Sequence, residues 1–286
     1  MIRKVTKKVF SMMFRIMPFP VVKYTVTKIP ILASCLPLNK DIVFYQYLGN
    51  LKVDINTLYP IEQKMLTGLY DPDTVSIVRK FVRESDICLD IGANVGAITL
   101  ALAQKTGVSG KVYSFEPGGM TYGRLSRNLE LNPNYLSVVQ PIKKGLSDQE
   151  DTLYWVEDQN NRGNAGFINK NTINKNGEPV EFTTIDNFVK NNAVDRIDFV
   201  KIDVEGMELE VLLGGKETWA KIQPIFYYET IKRFENMRKR KLFLEIEEFL
   251  KGYGYEFYKV LPGGEIEETS YPDLTENTLA IPLSRQ

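Results

Sequence analysis

The sequence predicts an α/β fold in which seven strands form a doubly wound sheet behind an N-terminal helical and hairpin extension. Three observations predict it. Strand-like runs alternate with helical patterns from residue 86 onward. A turn with two glycines follows the first strand, and an acid ends the second strand about 20 residues later. The strand-like runs lie near residues 86–91, 111–115, 136–140, 197–203, 225–229, 255–260 and 277–282, and helical patterns lie near 95–105, 119–131, 206–213 and 239–251.

Two segments stand apart from this alternation. Before the sheet, Gly49-Asn50 separates two strand-like runs and predicts a two-residue hairpin, which helical patterns near residues 61–70 and 74–83 follow. Within the sheet region, strand-like runs near 152–156 and 180–184 are joined by an asparagine-rich polar segment. A long loop inside a compact domain is usually a lid or disordered, so we expect either a substrate-facing loop or a mobile surface loop here.

The turn after the first strand predicts a binding site for a nucleoside-bearing cofactor. The apolar strand stops at Asp90, and Gly92, Ala93, Asn94 and Gly96 lead into a helical pattern. Glycines allow the backbone to come close to a ligand, while the first amides of the helix face the same space. An ordinary strand-to-helix turn is the alternative, in which Asn94 only adopts an unusual backbone angle.

The second strand ends at Glu116 and Pro117. An acid at this place can hydrogen-bond both ribose hydroxyls of a nucleotide. Turns that bind NAD carry Gly-x-Gly-x-x-Gly, whereas this chain has Asp90 in place of a first glycine and only Gly92 and Gly96 after it. The pattern is therefore closer to that of S-adenosylmethionine (AdoMet) sites than to that of dinucleotide sites.

A third motif places two acids, Asp203 and Glu205, where a central strand ends and a helical pattern begins. The segment is Lys201-Ile202-Asp203-Val204-Glu205-Gly206-Met207-Glu208. Together with the two preceding motifs, it resembles the FkbM family of AdoMet-dependent methyltransferases over about residues 40 to 282. The resemblance implies a class I methyltransferase (Rossmann-like) fold whose last strand is antiparallel. It also implies methyl transfer, usually to an oxygen of a sugar or secondary metabolite.

The same resemblance suggests further site residues. Gly145 and Leu146 are similar to the family's segment after its third strand, so we expect them near the adenosine part of the cofactor. Asn164 belongs to a small polar stretch that resembles one in FkbM enzymes, and it is a candidate substrate contact. Glu229 recurs in the family at the end of the next strand.

Methyl transfer to a hydroxyl requires that the acceptor oxygen be aligned and lose its proton. The chain has no histidine, so a carboxylate, lysine or tyrosine must act as the base. Asp203 is the first candidate, Glu205 at the start of the helix is the second, and Glu229 is the third. Lys201 is a candidate substrate contact. The three acids could instead bind a divalent cation, which their spacing does not indicate, or Asp203 and Glu205 could simply serve the helix terminus.

Charge separates the chain into a basic segment and an acidic body. The 286 residues carry no net charge, yet the first 40 hold eight basic residues and no acid, which leaves 28 basic and 36 acidic residues in the remainder. Apolar residues at three- and four-residue spacing predict a basic amphipathic helix in this segment. We therefore divide the chain into the basic segment (residues 1–40), a hairpin with helices that cap the core (41–84) and an AdoMet-dependent methyltransferase domain (85–286).

Composition narrows the functional alternatives. Two cysteines cannot form a disulfide framework and no window of about 20 apolar residues is present, so we expect a cytoplasmic enzyme. Residues 1–28 could contact anionic membrane, their own core or another subunit. The predicted function is an AdoMet-dependent O-methyltransferase acting on a hydroxyl of a sugar, glycolipid or related metabolite.

Two alternatives remain. The first is an RNA ribose methyltransferase, for which Lys201, Asp203 and Glu229 would be a partial catalytic set. The acidic body lacks a basic stripe and argues against nucleic acid. The second is a non-catalytic AdoMet-binding protein that its basic tail recruits to a membrane or partner.

Overall fold

The computed structural model describes residues 41–56, 59–67, 70–156, 166–168, 178–230, 241–271, 273 and 277–285. The predicted basic helix and the candidate substrate contact Asn164 lie outside these residues. The described residues include no helix that is both long and apolar enough to cross a membrane.

The described elements are as follows. The strands are β1 (Asp41–Tyr47), β2 (Leu51–Asn56), β3 (Ile87–Ile91), β4 (Lys111–Phe115), β5 (Val139–Ile142), β6 (Gly145–Leu146), β7 (Asp151–Val156), β8 (Gly166–Ile168), β9 (Glu178–Thr183), β10 (Phe199–Ile202), β11 (Ile225–Glu229), β12 (Tyr255–Leu261), β13 (Glu265–Thr269) and β14 (Asn277–Pro282). The helices are α1 (Pro60–Thr67), α2 (Pro72–Phe81), α3 (Ala97–Thr106), α4 (Gly119–Glu130), α5 (Ile185–Asn191), α6 (Glu208–Leu213), α7 (Lys216–Trp219) and α8 (Leu242–Lys251).

The central sheet has the order β13-β12-β14-β11-β10-β3-β4-β5 among the described strands. Strands β5, β4, β3, β10 and β11 are parallel, and β14 is antiparallel to both of its neighbours. The predicted doubly wound α/β fold with an antiparallel last strand is confirmed. The predicted count of seven is one short, because β13 pairs with β12 at the edge. Strand β13 is rich in glutamate and mostly exposed, so it has no apolar run to reveal it.

A second, smaller sheet has the order β6-β9-β7-β8. The strand-like runs predicted on either side of the asparagine-rich segment are strands β7 and β9, which pair antiparallel. Helix α5 follows this sheet and was missing from the predicted elements. The Thr184 side chain caps it by accepting a hydrogen bond from the Asn187 amide at 3.0 Å. The helix has only seven residues, too few for a clear helical period.

The hairpin β1–β2 and helices α1 to α3 pack on one face of the central sheet. The apolar residues of the hairpin share a core with Cys88, Phe199 and Tyr227, which point to that face from β3, β10 and β11. The intervening strand residues join the core on the opposite face, as the two-residue period of a strand requires. The predicted hairpin is confirmed, but its turn has three residues rather than two, since Tyr47 pairs with Leu51.

Candidate active site

The sequence-predicted acids converge at the carboxyl ends of the central strands, on the face that carries α2. Asp90, Lys201 and Tyr227 are direct neighbours across β3, β10 and β11. Because side chains two residues apart on a strand share a face, Glu229 lies beyond Tyr227 on the same side. The parallel strands therefore bring motifs that are far apart in sequence to one edge of the sheet.

Lys201 lies at the centre of this edge. Its side chain is 6% exposed, and its Nζ donates a hydrogen bond to the Gly92 carbonyl oxygen at 2.8 Å. The same Nζ lies 3.5 Å from Asp90 Oδ1 and 3.4 Å from Asp203 Oδ2. Burial alone would lower the pKa of Lys201, but the neighbouring carboxylates outweigh it, led by Asp203, and raise the pKa above its ordinary value. Lys201 is therefore a buried cation that joins the glycine turn to the candidate catalytic acid.

The glycine turn between β3 and α3 lies in close contact with neighbouring segments of the protein. Gly92 has a φ of +78°, and a Cβ built on it would lie 1.8 Å from the Asp203 carbonyl oxygen. A Cβ on Gly96 would lie 2.6 Å from Leu125 Cδ1. Gly92 therefore excludes a side chain because backbone packs against it, and Gly96 disfavours one because of its φ of +85°. Asn94 also has a left-handed backbone, with a φ of +51°.

Glu116 connects this turn to the start of α4. Its Oε2 accepts a hydrogen bond from the Asn94 amide at 2.8 Å. Its Oε1 accepts from the Gly118 amide at 2.9 Å and from the Thr121 hydroxyl at 2.6 Å. Burial raises the pKa of Glu116, and these hydrogen bonds act in the opposite direction. Pro117 follows it in the connection to α4.

Gly145 and Leu146 form strand β6, and both are buried. A Cβ on Gly145 would lie 2.2 Å from the Phe182 ring, so the absence of a side chain allows this strand to pack on β9. Leu146 joins the apolar core beside Phe115. Their contact with the adenosine part of a cofactor stays a prediction.

Asp203 and Glu205 do not extend along one strand. Strand β10 ends at Ile202, Glu205 has a φ of +55°, and α6 begins only at Glu208. The placement of Glu205 at the start of the helix is therefore wrong, because a left-handed turn at Glu205 and Gly206 separates strand from helix. The side chain of Asp203 is 32% exposed and can meet a ligand.

Glu229 shares the electrostatic environment of Asp203. Burial and the charge of Asp203 together raise the pKa of Glu229 to about 8, although Lys201 acts in the opposite direction. Glu205 contributes to the same rise, so its charge also acts on Glu229. A carboxyl group with such a pKa can hold or release a proton near neutral pH.

The sequence did not reveal that Tyr70 and Asp71 face this cluster. Asp71 caps helix α2, since its Oδ1 accepts from the Thr74 amide at 3.1 Å. Thr74 Oγ1 in turn donates to the Tyr227 hydroxyl at 2.8 Å, which fixes the start of α2 at the rim of the sheet. Burial raises the pKa of Tyr70, and the charge of Asp203 is the next largest cause. Asp71-Pro72 is a helix-start signal, but the signal does not say which part of the fold the helix start will meet.

Among the described residues, no group of three or more histidine, cysteine, aspartate or glutamate side chains is arranged to hold a metal ion.

The family model described as Methyltransferase FkbM domain matches residues 90–257, more than half of the chain. The chain belongs to this family. The match begins at Asp90 and includes Glu116, Lys201, Asp203 and Glu229, the residues of the rim described above.

Two relatives of this chain are also named methyltransferases. Methyltransferase sdnD of Sordaria araneosa is 31% identical over 48% of this chain and 63% of its own length. Hexuronic acid methyltransferase AglP of Haloferax volcanii is 27% identical over 50% of this chain and 56% of its own length. The chain thus spans less than two thirds of either relative. The crystal structure of methyltransferase FkbM from Methylobacillus flagellatus KT has a TM-score of 0.46 and 15% identity, covering 77% of this chain and 54% of that one.

The residues of this FkbM domain fit an AdoMet molecule. Gly96 precedes α3 without a side chain to cap it, so the first amides of the helix remain available for a ligand carboxylate. Glu116 is buried beside these residues, and a carboxylate has about four acceptor sites, of which the structure shows three in use. The amino acid end and the nucleoside end of AdoMet therefore both have polar partners here.

Proposed function

We propose that this FkbM-domain protein is an AdoMet-dependent O-methyltransferase that methylates a hydroxyl of a sugar, glycolipid or related metabolite. The observation that carries the proposal is the position of Lys201. It donates to Gly92 of the glycine turn and lies 3.4 Å from Asp203, so candidate cofactor and acceptor sites adjoin at one buried cation.

When bound, AdoMet supplies an electrophilic methyl group on a sulfonium sulfur. Glu116 would accept a hydrogen bond from a ribose hydroxyl at its remaining acceptor site, and the first amides of α3 would bind the amino acid carboxylate. Lys201 holds the turn at Gly92 in place through its hydrogen bond to the carbonyl oxygen. The cofactor site is thereby fixed relative to the acids on the neighbouring strands.

The acids supply the proton chemistry of a hydroxyl acceptor. Asp203 is partly exposed and would accept a hydrogen bond from the acceptor hydroxyl and orient it. The Glu229 carboxylate would then take the proton that the hydroxyl loses, because its raised pKa of about 8 makes it a stronger base than an ordinary glutamate. Glu205, whose charge acts on Glu229, would add to this negative field.

Charge favours a sugar-like acceptor over a polyphosphate one. Asp71, Asp90 and Asp203 all act on Lys201, which is therefore surrounded by negative charge and is itself almost fully buried. Such a rim can accept hydrogen bonds from hydroxyl groups and repels phosphates. The name of the relative AglP, a hexuronic acid methyltransferase, supports the sugar class. Contact of residues 1–28 with anionic membrane stays a prediction from sequence.

Calorimetric titration and a turnover assay together test this function. AdoMet and S-adenosylhomocysteine are titrated into the wild type and into Asp203→Ala, and each protein is then incubated with AdoMet and a panel of sugars and glycolipids. We expect both proteins to bind AdoMet, with only the wild type forming S-adenosylhomocysteine in an acceptor-dependent way. The control is Asp195→Ala, an exposed aspartate before the opposite end of β10.

The outcomes separate the alternatives. An Asp203→Ala variant as active as Asp195→Ala would remove Asp203 from the reaction. Binding of AdoMet without turnover on any hydroxyl acceptor would favour the non-catalytic binding protein. Turnover on RNA but not on sugars would favour the ribose methyltransferase.

A further inference from the structure

Two buried asparagines bind strand β2 of the hairpin: Asn128 lies in α4, and Asn132 lies just after its end. The Asp54 amide donates to Asn128 Oδ1 at 2.6 Å, and the Lys52 amide donates to Asn132 Oδ1 at 2.9 Å. Asn132 Nδ2 donates back to the Lys52 carbonyl oxygen at 2.6 Å. Residues 52 and 54 alternate along β2, so the two side-chain amides, one helical turn apart, pair with it as a neighbouring strand would.

An ion pair adds to this attachment. Arg124, one turn before Asn128, lies 3.2 Å from Asp54 and 3.9 Å from Glu62 of α1. Glu62 accepts a hydrogen bond from the Asn56 amide at the end of β2. From Arg124 onward, helix α4 therefore contacts the hairpin and α1, whereas the residues that bind Glu116 lie at the start of the same helix.

The two asparagines differ in the acceptors to which their side-chain Nδ2 atoms donate hydrogen bonds. Asn128 Nδ2 donates to the Val95 carbonyl oxygen at 2.8 Å, in the glycine turn between Asn94 and Gly96. Asn132 Nδ2 instead donates to Lys52 and, at 2.7 Å, to the Asn128 carbonyl oxygen. One fully buried amide thus joins hairpin, helix and cofactor turn.

We propose that Asn128 is a positioning residue for AdoMet binding, because its side-chain amide holds the Val95 carbonyl group of the glycine turn in place. This inference rests on the proposed function, because it takes the turn to be the AdoMet site. Val95 lies between Asn94, whose amide is bound by Glu116, and the helix start at Gly96. Loss of the hydrogen bond at Val95 would leave a buried carbonyl oxygen unpaired and let the turn shift.

Asn132 provides a matched control for the test. Asn128→Ala removes two side-chain hydrogen bonds that the structure shows, whereas Asn132→Ala removes three. If both asparagines only stabilised the fold, Asn132→Ala would therefore reduce stability and AdoMet affinity more than Asn128→Ala. The proposal predicts that Asn128→Ala raises the AdoMet dissociation constant about tenfold in calorimetry, while Asn132→Ala leaves it within about twofold at a similar fall in melting temperature.

A second pair of variants covers failure of Asn128→Ala to fold. Asn128→Asp keeps the oxygen that accepts from Asp54 and removes the donor to Val95, and Asn132→Asp makes the same change at the control position. Equal loss of AdoMet affinity in either pair, or no loss at Asn128, would overturn the proposal. Absence of AdoMet binding by the wild type would refute the proposed function instead, so the two failures are distinguishable.

Discussion

Glu208 is predicted to make the protein less stable as the pH rises. This first residue of α6 is 1% exposed, and its Oε1 accepts a hydrogen bond from the Gly206 amide at 2.9 Å. Burial, with a smaller contribution from the charge of Asp203, raises the pKa of Glu208 to about 7, against the opposing effect of backbone hydrogen bonds such as the one from Gly206. The informative change is Glu208→Gln, since glutamine keeps an oxygen for Gly206 and carries no charge at any pH.

The size of the effect follows from the pKa. A glutamate with an ordinary pKa of 4.5 in the unfolded chain and about 7 in the folded protein binds its proton more tightly when folded. The folded state is therefore favoured at low pH, and this contribution is lost as the pH rises from the unfolded to the folded pKa. At about 1.4 kcal/mol per pKa unit, the full loss is about 3 kcal/mol. Glu208→Gln should be more stable than the wild type by up to that amount above neutral pH.

Urea denaturation between about pH 5 and pH 8 measures this difference in the free energy of unfolding. We expect the wild-type and Glu208→Gln curves to diverge as the pH rises. Glu217→Gln is the control, because it makes the same change of charge at an exposed residue of the next helix. Parallel pH curves for the wild type and Glu208→Gln would refute the reasoning and show that the buried carboxyl group ionises without cost.

Two further predictions concern the rim. Gly92→Ala should abolish AdoMet binding and lower the free energy of unfolding by about 3 kcal/mol or more, because its Cβ would meet the Asp203 carbonyl oxygen at a positive φ; unchanged calorimetric affinity would contradict this. With Glu229 as the base, wild-type kcat should rise as the pH passes about 8 and the Glu229 carboxyl loses its proton. Glu229→Gln should be much slower and lack that rise in a pH–rate profile; a variant that keeps the rise would exclude Glu229 as its source.

The sequence was sufficient to predict the residues at the ends of the parallel strands. Asp90, Glu116, Asp203 and Glu229 each end an apolar run or follow it directly, and parallel strands place such ends at one edge. Their meeting around Lys201 needed no knowledge of how distant segments dock. The left-handed turn at Glu205 did require that knowledge, because it depends on packing rather than on the strand pattern.

The residues that sequence could not place all depend on docking between distant segments. Tyr70 and Asp71 face Asp203 only because the start of α2 is fixed to Tyr227 across about 150 residues of chain. Asn128 carries no pattern that separates it from an ordinary polar helix residue, yet its partners lie 74 and 33 residues away. Periodicity indicates which side of a helix is buried, but it does not identify what the buried amide will bind.

The two glycines of the turn also meet a structural requirement that the sequence alone did not reveal. Gly92 and Gly96 were expected to bring the backbone close to a ligand, and the structure shows that Gly92 is also required by contact with the Asp203 backbone and Gly96 by its positive φ. A non-catalytic AdoMet-binding protein would need the same two glycines to pack its turn. The glycine motif therefore does not separate an enzyme from a binder. That distinction depends on Asp203 and Glu229, because packing of the turn does not explain a partly exposed acid beside one whose pKa is raised toward neutrality.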